Sequence, residues 1–353
     1  MTVDELLQQG CEWIQGDDSD ESKIVVSTRI RLARNLAEHP FVSRLSEAEK
    51  KTVEQKIRNA VQKLPNGSNY SYFNMDELEP LEKSLLFESH LISRALSDGN
   101  GLRSALISPD ARFSLMLMEG DHLQIQAIRS GCNLPAIWEE IDTLDDMLEE
   151  NLVYAWSPKY GYLNACPTNV GTGMRVSVML HLPALAFTKQ FSRIYQSLQK
   201  ISLTVRGLYG EGSQAFGNFY QISNQATLGV AEKTTLQEVS DVVQAIVNYE
   251  LRARELLMNE NREQLLEDVL KNLQTLRVAE TIGVEESMHC LSIVRLGISL
   301  GLVSDISIRL IDRLLLQTQA GFLQWIYGGV TSSLDSNGLR AQYLQQHLSN
   351  AAL

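Results

Sequence analysis

Hydrophobic and polar residues alternate at every second position over much of the first two thirds of the chain. This period is typical of strands with one buried face. The segments that show it, rich in β-branched residues, are "KIVVSTRIRLA", "SALIS", "RFSLMLM", "HLQIQAI", "GYLNAC", "RVSVMLHL" and "NFYQISNQ". Two longer stretches, "SEAEKKTVEQKIRNAVQKL" and "LPAIWEEIDTLDDMLEENL", have the helical period instead. Residues 23–232 are therefore predicted to form an α+β domain with a mainly antiparallel sheet flanked by helices.

The strand pattern stops after "NQATLGVAEKT", and a helical pattern follows it. Thr235 and Glu238 have the spacing of a capping box, which predicts that a helix starts there. Apolar residues then recur with the helical period through "EQLLEDVLKNLQTL", "VEESMHCLSIVRLGISLGL" and "IRLIDRLLLQTQAGFLQWI". Residues 233–353 are predicted to form an all-α C-terminal module.

The first 22 residues are a separate N-terminal part. Thr2 and Glu5 have capping-box spacing, and Leu6, Leu7 and Ile14 follow at roughly helical positions. We expect a short first helix, which the acidic linker "GDDSDES" ends.

Charge and composition argue against several classes of function. Of 353 residues, 31 are Lys or Arg and 43 are Asp or Glu, and the net charge of −12 argues against wholesale binding to nucleic acid or to an anionic membrane. The chain has no apolar run long enough to cross a bilayer and no basic, then apolar, start, so we expect a cytoplasmic protein. Its four cysteines are scattered, which favours reduced thiols over disulfides or a zinc site.

Arginines follow one face of a predicted strand. In "STRIRLARNL", Arg29 and Arg31 are two positions apart, so both guanidinium groups leave the face opposite to Ile30 and Leu32. Such a pair indicates either an exposed, solvated sheet edge or an anion-binding face.

Two further segments favour the anion-binding interpretation. "CPTNVGTGMRVSVML" presents Arg175 after a turn with Gly171 and Gly173, and "TVRGLYGEGSQAFGN" presents Arg206 before a glycine-rich loop. Glycine allows backbone to approach a ligand closely, but the Gly-Lys-Ser/Thr of a P-loop is missing. Phosphate charge would have to be met by converging arginines.

Three ordered blocks carry a resemblance to a known family. They are "VVSTRIRLARNL" at 25–36, "CPTNVGTGMRVSVMLHLPAL" at 166–185 and "RGLYGEGSQAFGNFYQISNQ" at 206–225. Together they resemble the phosphagen (guanidino) kinases, and within them the bacterial protein arginine kinases of the McsB type. The resemblance covers most of the chain, from about residue 22 to the C-terminal helices.

The resemblance implies a sheet that binds MgATP through arginines and passes the γ-phosphoryl group to a guanidinium nitrogen. Planar guanidinium forks suit this reaction, which needs phosphate oxygens to be positioned and neutralised. Without the family, His90 would be read as a helix-surface or capping histidine. The residues implied to bind ATP are Ser27, Thr28, Arg29, Ile30, Arg31, His90, Arg175, Val176, Ser177, Val178, Met179, Arg206, Gly207, Leu208, Tyr209, Gly210 and Glu211.

The resemblance also implies two catalytic residues on the acceptor side. An arginine guanidinium is protonated near neutral pH, so it must be held by anionic oxygens and lose a proton as it attacks. Glu211 matches one of two family glutamates that do this, and Cys166 matches a thiol beside the guanidinium. From its residue type alone, Cys166 would be a small buried hydrophobe.

The second family glutamate is missing from this sequence. The family pattern N-E-E-D-H-x-R reads "MEGDHLQ" at 118–124, so Gly120 replaces the catalytic glutamate and Gln124 replaces a nucleotide-binding arginine. In a regular strand Glu119 would point to the opposite face, whereas a bulge at Gly120 could turn Glu119 or Asp121 into the site. Asp121 and His122 then mark the position of the family motif and are not themselves the catalytic acid and base.

A second departure lies near the C-terminus. The R-D-x-x-R-A phosphoarginine pocket of the family reads "SNGLRA" here, which keeps Arg340 and Ala341 but replaces the Arg-Asp pair with Ser336 and Asn337. An ordinary helix N-terminus capped by serine or asparagine fits this stretch at least as well.

The predicted function is protein-arginine phosphorylation from ATP and Mg²⁺, linked to protein quality control and the stress response. The resemblance implies several protein partners: substrates with exposed arginine, a zinc-binding activator, a heat-shock repressor and a chaperone-protease. It is also compatible with a homodimer. The alternatives are a nucleotide-binding pseudokinase or adaptor, which Gly120 and Gln124 favour, and a kinase of small guanidino compounds.

Overall fold

A computed structural model describes residues 2–8, 12–14, 23–190, 203–207, 216–329 and 333–349. Its strands are β1 (Val25–Arg34), β2 (Ser71–Asn74), β3 (Ser104–Ile107), β4 (Phe113–Leu117), β5 (Leu123–Ser130), β6 (Trp156–Ser157), β7 (Gly161–Tyr162), β8 (Met174–His181), β9 (Leu203–Arg206) and β10 (Phe219–Asn224). Over the described residues, eight of them form one sheet in the order β2-β3-β4-β5-β1-β8-β10-β9, and all neighbours in it are antiparallel.

Helices flank this sheet and form the C-terminal part. They are α1 (Val3–Gln8), α2 (Glu47–Gln62), α3 (Pro80–Glu88), α4 (Arg94–Asp98), α5 (Leu134–Glu149), α6 (Pro183–Phe187), α7 (Glu232–Glu260), α8 (Arg262–Val278), α9 (Val284–Ser299), α10 (Ile308–Gln317), α11 (Ala320–Tyr327) and α12 (Ser333–Leu348). The predicted α+β class with a helical C-terminal region is confirmed. None of the helices in the described ranges is both long and apolar enough to cross a membrane.

The two faces of the sheet belong to different cores. On one face Ile30 shares a buried cluster with Ile57 of α2 and Ile141 of α5. On the other, Met179 of β8 shares a second cluster with Leu291 of α9. Burying one such side chain fully stabilises the fold by about 1.5–3 kcal/mol. The second cluster joins the C-terminal helices to the arginine-bearing side of the sheet.

The N-terminal helix is shorter than its predicted extent. The capping box exists: the Thr2 amide donates to Glu5 Oε2 at 2.8 Å, and the Glu5 amide donates to Thr2 Oγ1 at 3.2 Å. The helix ends at Gln8, however, and Ile14 lies in a separate 3-10 turn, Glu12–Ile14.

Two other predicted boundaries are wrong for local reasons. Thr235 is not the cap of α7, which begins at Glu232; its hydroxyl donates to the Ala231 carbonyl from within the helix, at 3.3 Å. The helical pattern predicted through "IRLIDRLLLQTQAGFLQWI" is present as two helices, α10 and α11, with Thr318 and Gln319 between them. From "GYLNAC" only β7 is a strand, because the Asn164 side-chain amide donates to the Asn169 carbonyl at 2.9 Å and closes a turn there.

A buried polar network ties the C-terminal helices to strand β8. Arg295 donates to Asp312 Oδ1 at 2.7 Å and to the Lys23 carbonyl at 2.6 Å. Arg295 Nη1 also lies 3.1 Å from Nδ1 of His181, whose Nε2 is 2.8 Å from Ser292 Oγ. Burial, Arg295 and Arg254 lower the pKa of His181 well below 6.5, so this imidazole is neutral and accepts from Arg295.

We expect acid to destabilise the fold through this histidine. In the unfolded chain His181 binds a proton below pH 6.5, whereas the folded state keeps it neutral, so the free energy of unfolding falls as pH drops. One proton contributes a slope of at most about 1.4 kcal/mol per pH unit. Urea unfolding from pH 7.5 to 5 measures it, and His181→Gln should flatten the slope. An unchanged slope in that variant would contradict the assignment.

Candidate active site

Three predicted arginines meet on one face of the sheet. Arg31 of β1 lies directly opposite Arg175 of β8, and Arg29 lies opposite Ser177. Arg206 of β9 pairs with Gln221 of β10, on the same side. Because β1 is the central strand between β5 and β8, the alternative of an exposed sheet edge is wrong.

Neutral amides hold two of these arginines. Arg29 Nη2 donates to Gln221 Oε1 at 3.1 Å, and Arg31 Nε donates to Gln126 Oε1 at 2.8 Å. The Gln126 amide in turn donates to the His90 carbonyl at 2.8 Å. The amides orient the guanidinium groups without neutralising them, which leaves their positive charge for a ligand.

The electrostatics of this face favour an anion. Burial, Arg31 and Arg175 all lower the pKa of Arg29, and burial is the largest cause for Arg31 as well. An arginine stays protonated in proteins, so the like charges remain in place and repel one another. Burial, Arg29 and Arg31 lower the pKa of His90 to about 3, so its imidazole is neutral. A bound polyphosphate would relieve this repulsion.

Not every predicted nucleotide-binding side chain faces this site. Thr28, Ile30, Val176 and Val178 are fully buried, and the last three pack in the core on the opposite face. Leu208, Tyr209, Gly210 and Glu211 lie outside the described residues, and Gly207 is buried at the end of β9. A recess on the arginine side is lined by Ser27, Arg29, His90, Ile128, Ser177, Met179 and Gln221.

His90 is placed by backbone geometry and by an aromatic ring that the sequence did not single out. It follows the C-cap Ser89 of α3 with a φ of 59°, its amide donates to the Phe87 carbonyl at 2.9 Å, and the Leu91 amide donates to the Leu86 carbonyl at 3.0 Å. The backbone of His90 therefore caps α3, as one alternative expected, while its side chain lines the recess on the arginine side. The ring of Trp13 meets the imidazole edge-on, with centroids 4.6 Å apart, and its indole N–H donates to the Ser89 carbonyl at 2.9 Å. Gln126 and Gln221 were also missed from the sequence. Each lies opposite an arginine on a neighbouring strand, and the period-two pattern of β5 and β10 could have indicated that they face the arginine side.

The segment "MEGDHLQ" contains a tight connection between β4 and β5. Asp121 is buried and accepts from the Asn35 side chain and from the Ala165 amide, both at 2.7 Å. His122 accepts from the Leu36 amide at 3.0 Å, and its other nitrogen lies 2.8 Å from the Pro40 carbonyl. Both side chains therefore hold the connection in place, and both nitrogens of His122 are engaged by backbone groups.

Glu119 does not follow a regular strand. Strand β4 ends at Leu117, and Met118 has a φ of 58°, which an L-residue adopts rarely. Glu119 therefore lies beyond the end of the strand, and its negative charge raises the pKa of the Arg31 guanidinium, which burial lowers by more. The regular-strand expectation for Glu119 is therefore wrong, and the kink lies at Met118 rather than at Gly120.

Cys166 lies beside this connection. Its neighbour Ala165 donates to Asp121, and the thiol is exposed, with Sγ 3.0 Å from Thr168 Oγ1. The alternative of a buried hydrophobe is wrong for this cysteine. The glycine turn that follows serves packing rather than ligand approach, because a Cβ on Gly171 would lie 2.1 Å from the Thr227 carbonyl oxygen.

The C-terminal arginine has a structural role. Arg340 is buried and donates to the Thr318 carbonyl at 2.8 Å, to the Ile282 carbonyl at 3.0 Å and to Asn337 Oδ1 at 2.7 Å. Ser336 and Asn337 lie inside α12, so the helix-capping interpretation of "SNGLRA" is wrong.

Gly120 has room for a side chain. It is exposed, its φ is not in the left-handed region, and a Cβ there would meet no atom within 4 Å. We expect Gly120→Glu to fold normally and to raise kcat/KM for phosphoryl transfer by about tenfold or more, because it adds a carboxylate beside the acceptor side of the site. Steady-state kinetics measure this, with Gly120→Ala as the control for backbone effects. Equal rates for the two variants would contradict the expectation.

Comparison with known proteins decides the family. A sequence model described as "ATP:guanido phosphotransferase, C-terminal catalytic domain" matches residues 52–253, and one described as "Protein-arginine kinase McsB C-terminal domain" matches 262–352. The chain is 40% identical over 337 residues to the protein-arginine kinase of Clostridium acetobutylicum, across 95% of this chain and 99% of that one. The chain belongs to the protein-arginine kinase family.

Other similar proteins are also protein-arginine kinases. The protein-arginine kinase of Caldanaerobacter subterraneus is 42% identical over 334 residues, across 93% of this chain and 98% of the relative. That of Bacillus cereus is 39% identical and covers 99% of both chains. The domain limits at residues 22 and 232 stay a prediction.

Solved structures support the fold alone. The crystal structure of lombricine kinase is similar with a TM-score of 0.59 at 24% identity, covering 70% of this chain and 75% of the other. The duplicated taurocyamine kinase from Schistosoma mansoni with bound transition state analog components has a TM-score of 0.60 at 23% identity, covering 75% and 40%. The antiparallel sheet of this family member is therefore that of guanidino kinases.

Proposed function

We propose that this protein transfers the γ-phosphoryl group of ATP to arginine side chains of proteins. The observation that carries the proposal is the cluster of Arg29, Arg31 and Arg175 on one sheet face, where neutral amides hold Arg29 and Arg31 beside a neutral His90. The family membership favours this function over a pseudokinase.

The proposed step is an in-line phosphoryl transfer. A nitrogen of the acceptor guanidinium attacks the γ-phosphorus, the N–P bond forms, and the P–O bond to ADP breaks with its electron pair leaving on ADP. The nitrogen loses a proton, which Glu211 accepts in this proposal. The arginine cluster neutralises the oxygens of the moving phosphoryl group, as such transfers require.

Magnesium enters as part of the MgATP substrate. No cluster of three or more potential metal-ligating side chains occurs among the residues that the structure describes. Phosphate oxygens and water suit Mg²⁺, which loses its hydration shell reluctantly, so the ion needs few protein ligands. A cytoplasmic location belongs to the same proposal, since ATP is the donor. The same proposal includes four interactions: with a zinc-binding activator, with a heat-shock repressor, with a chaperone-protease and with a second copy of the chain in a homodimer.

An acceptor comparison tests this function. ADP release would be followed with an arginine-rich protein, with free arginine and with creatine, each with MgATP. We expect turnover only with the protein acceptor. Turnover with the free compounds instead would identify a kinase of small guanidino metabolites and overturn the proposal.

A further inference from the structure

One carboxylate oxygen at the edge of the arginine cluster is buried without a partner. Within the described residues, Glu119 Oε2 is inaccessible to solvent and has no hydrogen-bond partner, although the residue as a whole is half-buried. A buried charged oxygen without a hydrogen bond is costly, and native proteins rarely keep one without a reason. Such an oxygen can accept a hydrogen bond from a ligand.

The surroundings of Glu119 show what the donor would be. Gln124, the second residue of β5, has a buried Oε1 that also lacks a partner in the described chain. Two unpartnered acceptors on either side of one tight connection suit a ligand with several N–H donors. A guanidinium presents five of them in a plane, and its positive charge would be paired with the carboxylate.

The backbone on both sides of Glu119 is fixed by hydrogen bonds. The connection is fixed at Asp121 and His122 by buried hydrogen bonds, and the Met118 amide donates to the His122 carbonyl at 3.1 Å. The rare φ of 58° at Met118 is where the chain leaves β4. Strained backbone of this kind clusters at functional sites, because the surrounding structure must support it.

The connection that carries Glu119 is linked both to the arginine cluster and to the segment before Cys166. The negative charge of Glu119 raises the pKa of Arg31 against the larger lowering by burial, and the Ala165 amide, next to the exposed Cys166, donates to Asp121 of the same connection.

We propose that Glu119 binds the guanidinium group of the acceptor arginine, as the carboxylate that works in place of one at position 120. The inference rests on the proposed function. Glu119 accepts hydrogen bonds from the guanidinium and orients its attacking nitrogen, and the proton lost in the transfer passes to Glu211 as before.

Kinetics on Glu119→Gln separate this role from a structural one. We expect kcat/KM for the protein acceptor to fall about 100-fold, with the KM for ATP changed less than about threefold. The matched control is Glu139→Gln, an exposed carboxylate on α5, which packs on the opposite face of the sheet. A rise in the KM for ATP alone would mean that Glu119 only supports Arg31, and it would overturn the proposal, as would full activity.

A rescue variant makes the test sharper. Adding Gly120→Glu to Glu119→Gln returns a carboxylate to the connection, so we expect it to recover most of the lost activity, whereas Gly120→Ala should not. Failure of the rescue in a normally folded double variant would overturn the proposal.

Binding measurements keep the inference separate from the proposed function. Titration calorimetry with an arginine-containing peptide needs no turnover. We expect Glu119→Gln to weaken peptide binding about tenfold or more, since a charge-assisted bidentate contact is lost. If wild-type protein shows no phosphoryl transfer yet this loss is seen, the proposed function fails and the Glu119 site stands. Equal affinities would overturn the site.

Discussion

Replacing Arg29 with alanine should lower kcat/KM for protein phosphorylation by about 100- to 1000-fold. Loss of one preorganised charge-stabilising group typically costs about 2.7–4 kcal/mol in the transition state. Arg29 is suited to that role because Gln221 orients it and because burial with Arg31 and Arg175 leaves its charge unbalanced. Steady-state kinetics with MgATP and an arginine-rich protein measure the loss.

The same substitution should leave stability unchanged or raise it. Arg29 is desolvated beside like charges, so its removal relieves repulsion, and active-site groups often stabilise function at the expense of the fold. Arg29→Lys should be intermediate, since it keeps the charge but loses the planar fork. Arg94→Ala, at an exposed ion pair on α4, is the control. Full activity in Arg29→Ala would show that the cluster does not bind the transferred phosphate.

Glu211→Gln should abolish phosphoarginine formation, with a loss of about 1000-fold or more, because the amide can neither accept the proton nor pair with the guanidinium. The KM for ATP should change little. Radiolabel transfer to protein measures the effect, and Glu238→Gln, exposed on α7, is the matched control. Retention of full activity would refute the role of Glu211 as the base, a role inferred from sequence since residue 211 lies outside the described ranges.

The arginine face could be predicted from sequence, whereas its geometry could not. Alternation with period two already placed Arg29 and Arg31 on one side of a strand. That Arg31 lies opposite Arg175 depends on the register between β1 and β8, which shifts between Val25 and Ser27. The local pattern of β1 carries no sign of this shift, because register is a property of two paired strands that are distant in sequence.

The acceptor side shows a second limit of pattern-based prediction. Nothing in "MEGDHLQ" indicates that Met118 adopts a left-handed φ, since methionine disfavours it and only the fixed ends of the connection impose it. Trp13 is similar: its contact with His90 joins residues 77 positions apart, and long-range contacts of this kind come from the packed core. The close approach of Gly171 to Thr227 is a further long-range contact of this kind.

The central claim is that this site, with Gly120 and Gln124, is a working protein-arginine kinase. The most direct measurement is to incubate the wild-type protein with radiolabelled MgATP and casein and to look for acid-labile phosphate on arginine. We predict label with the wild type and none with Glu211→Gln. Absence of label with the wild type, together with label from Gly120→Glu combined with Gln124→Arg, would contradict the claim and identify a nucleotide-binding pseudokinase.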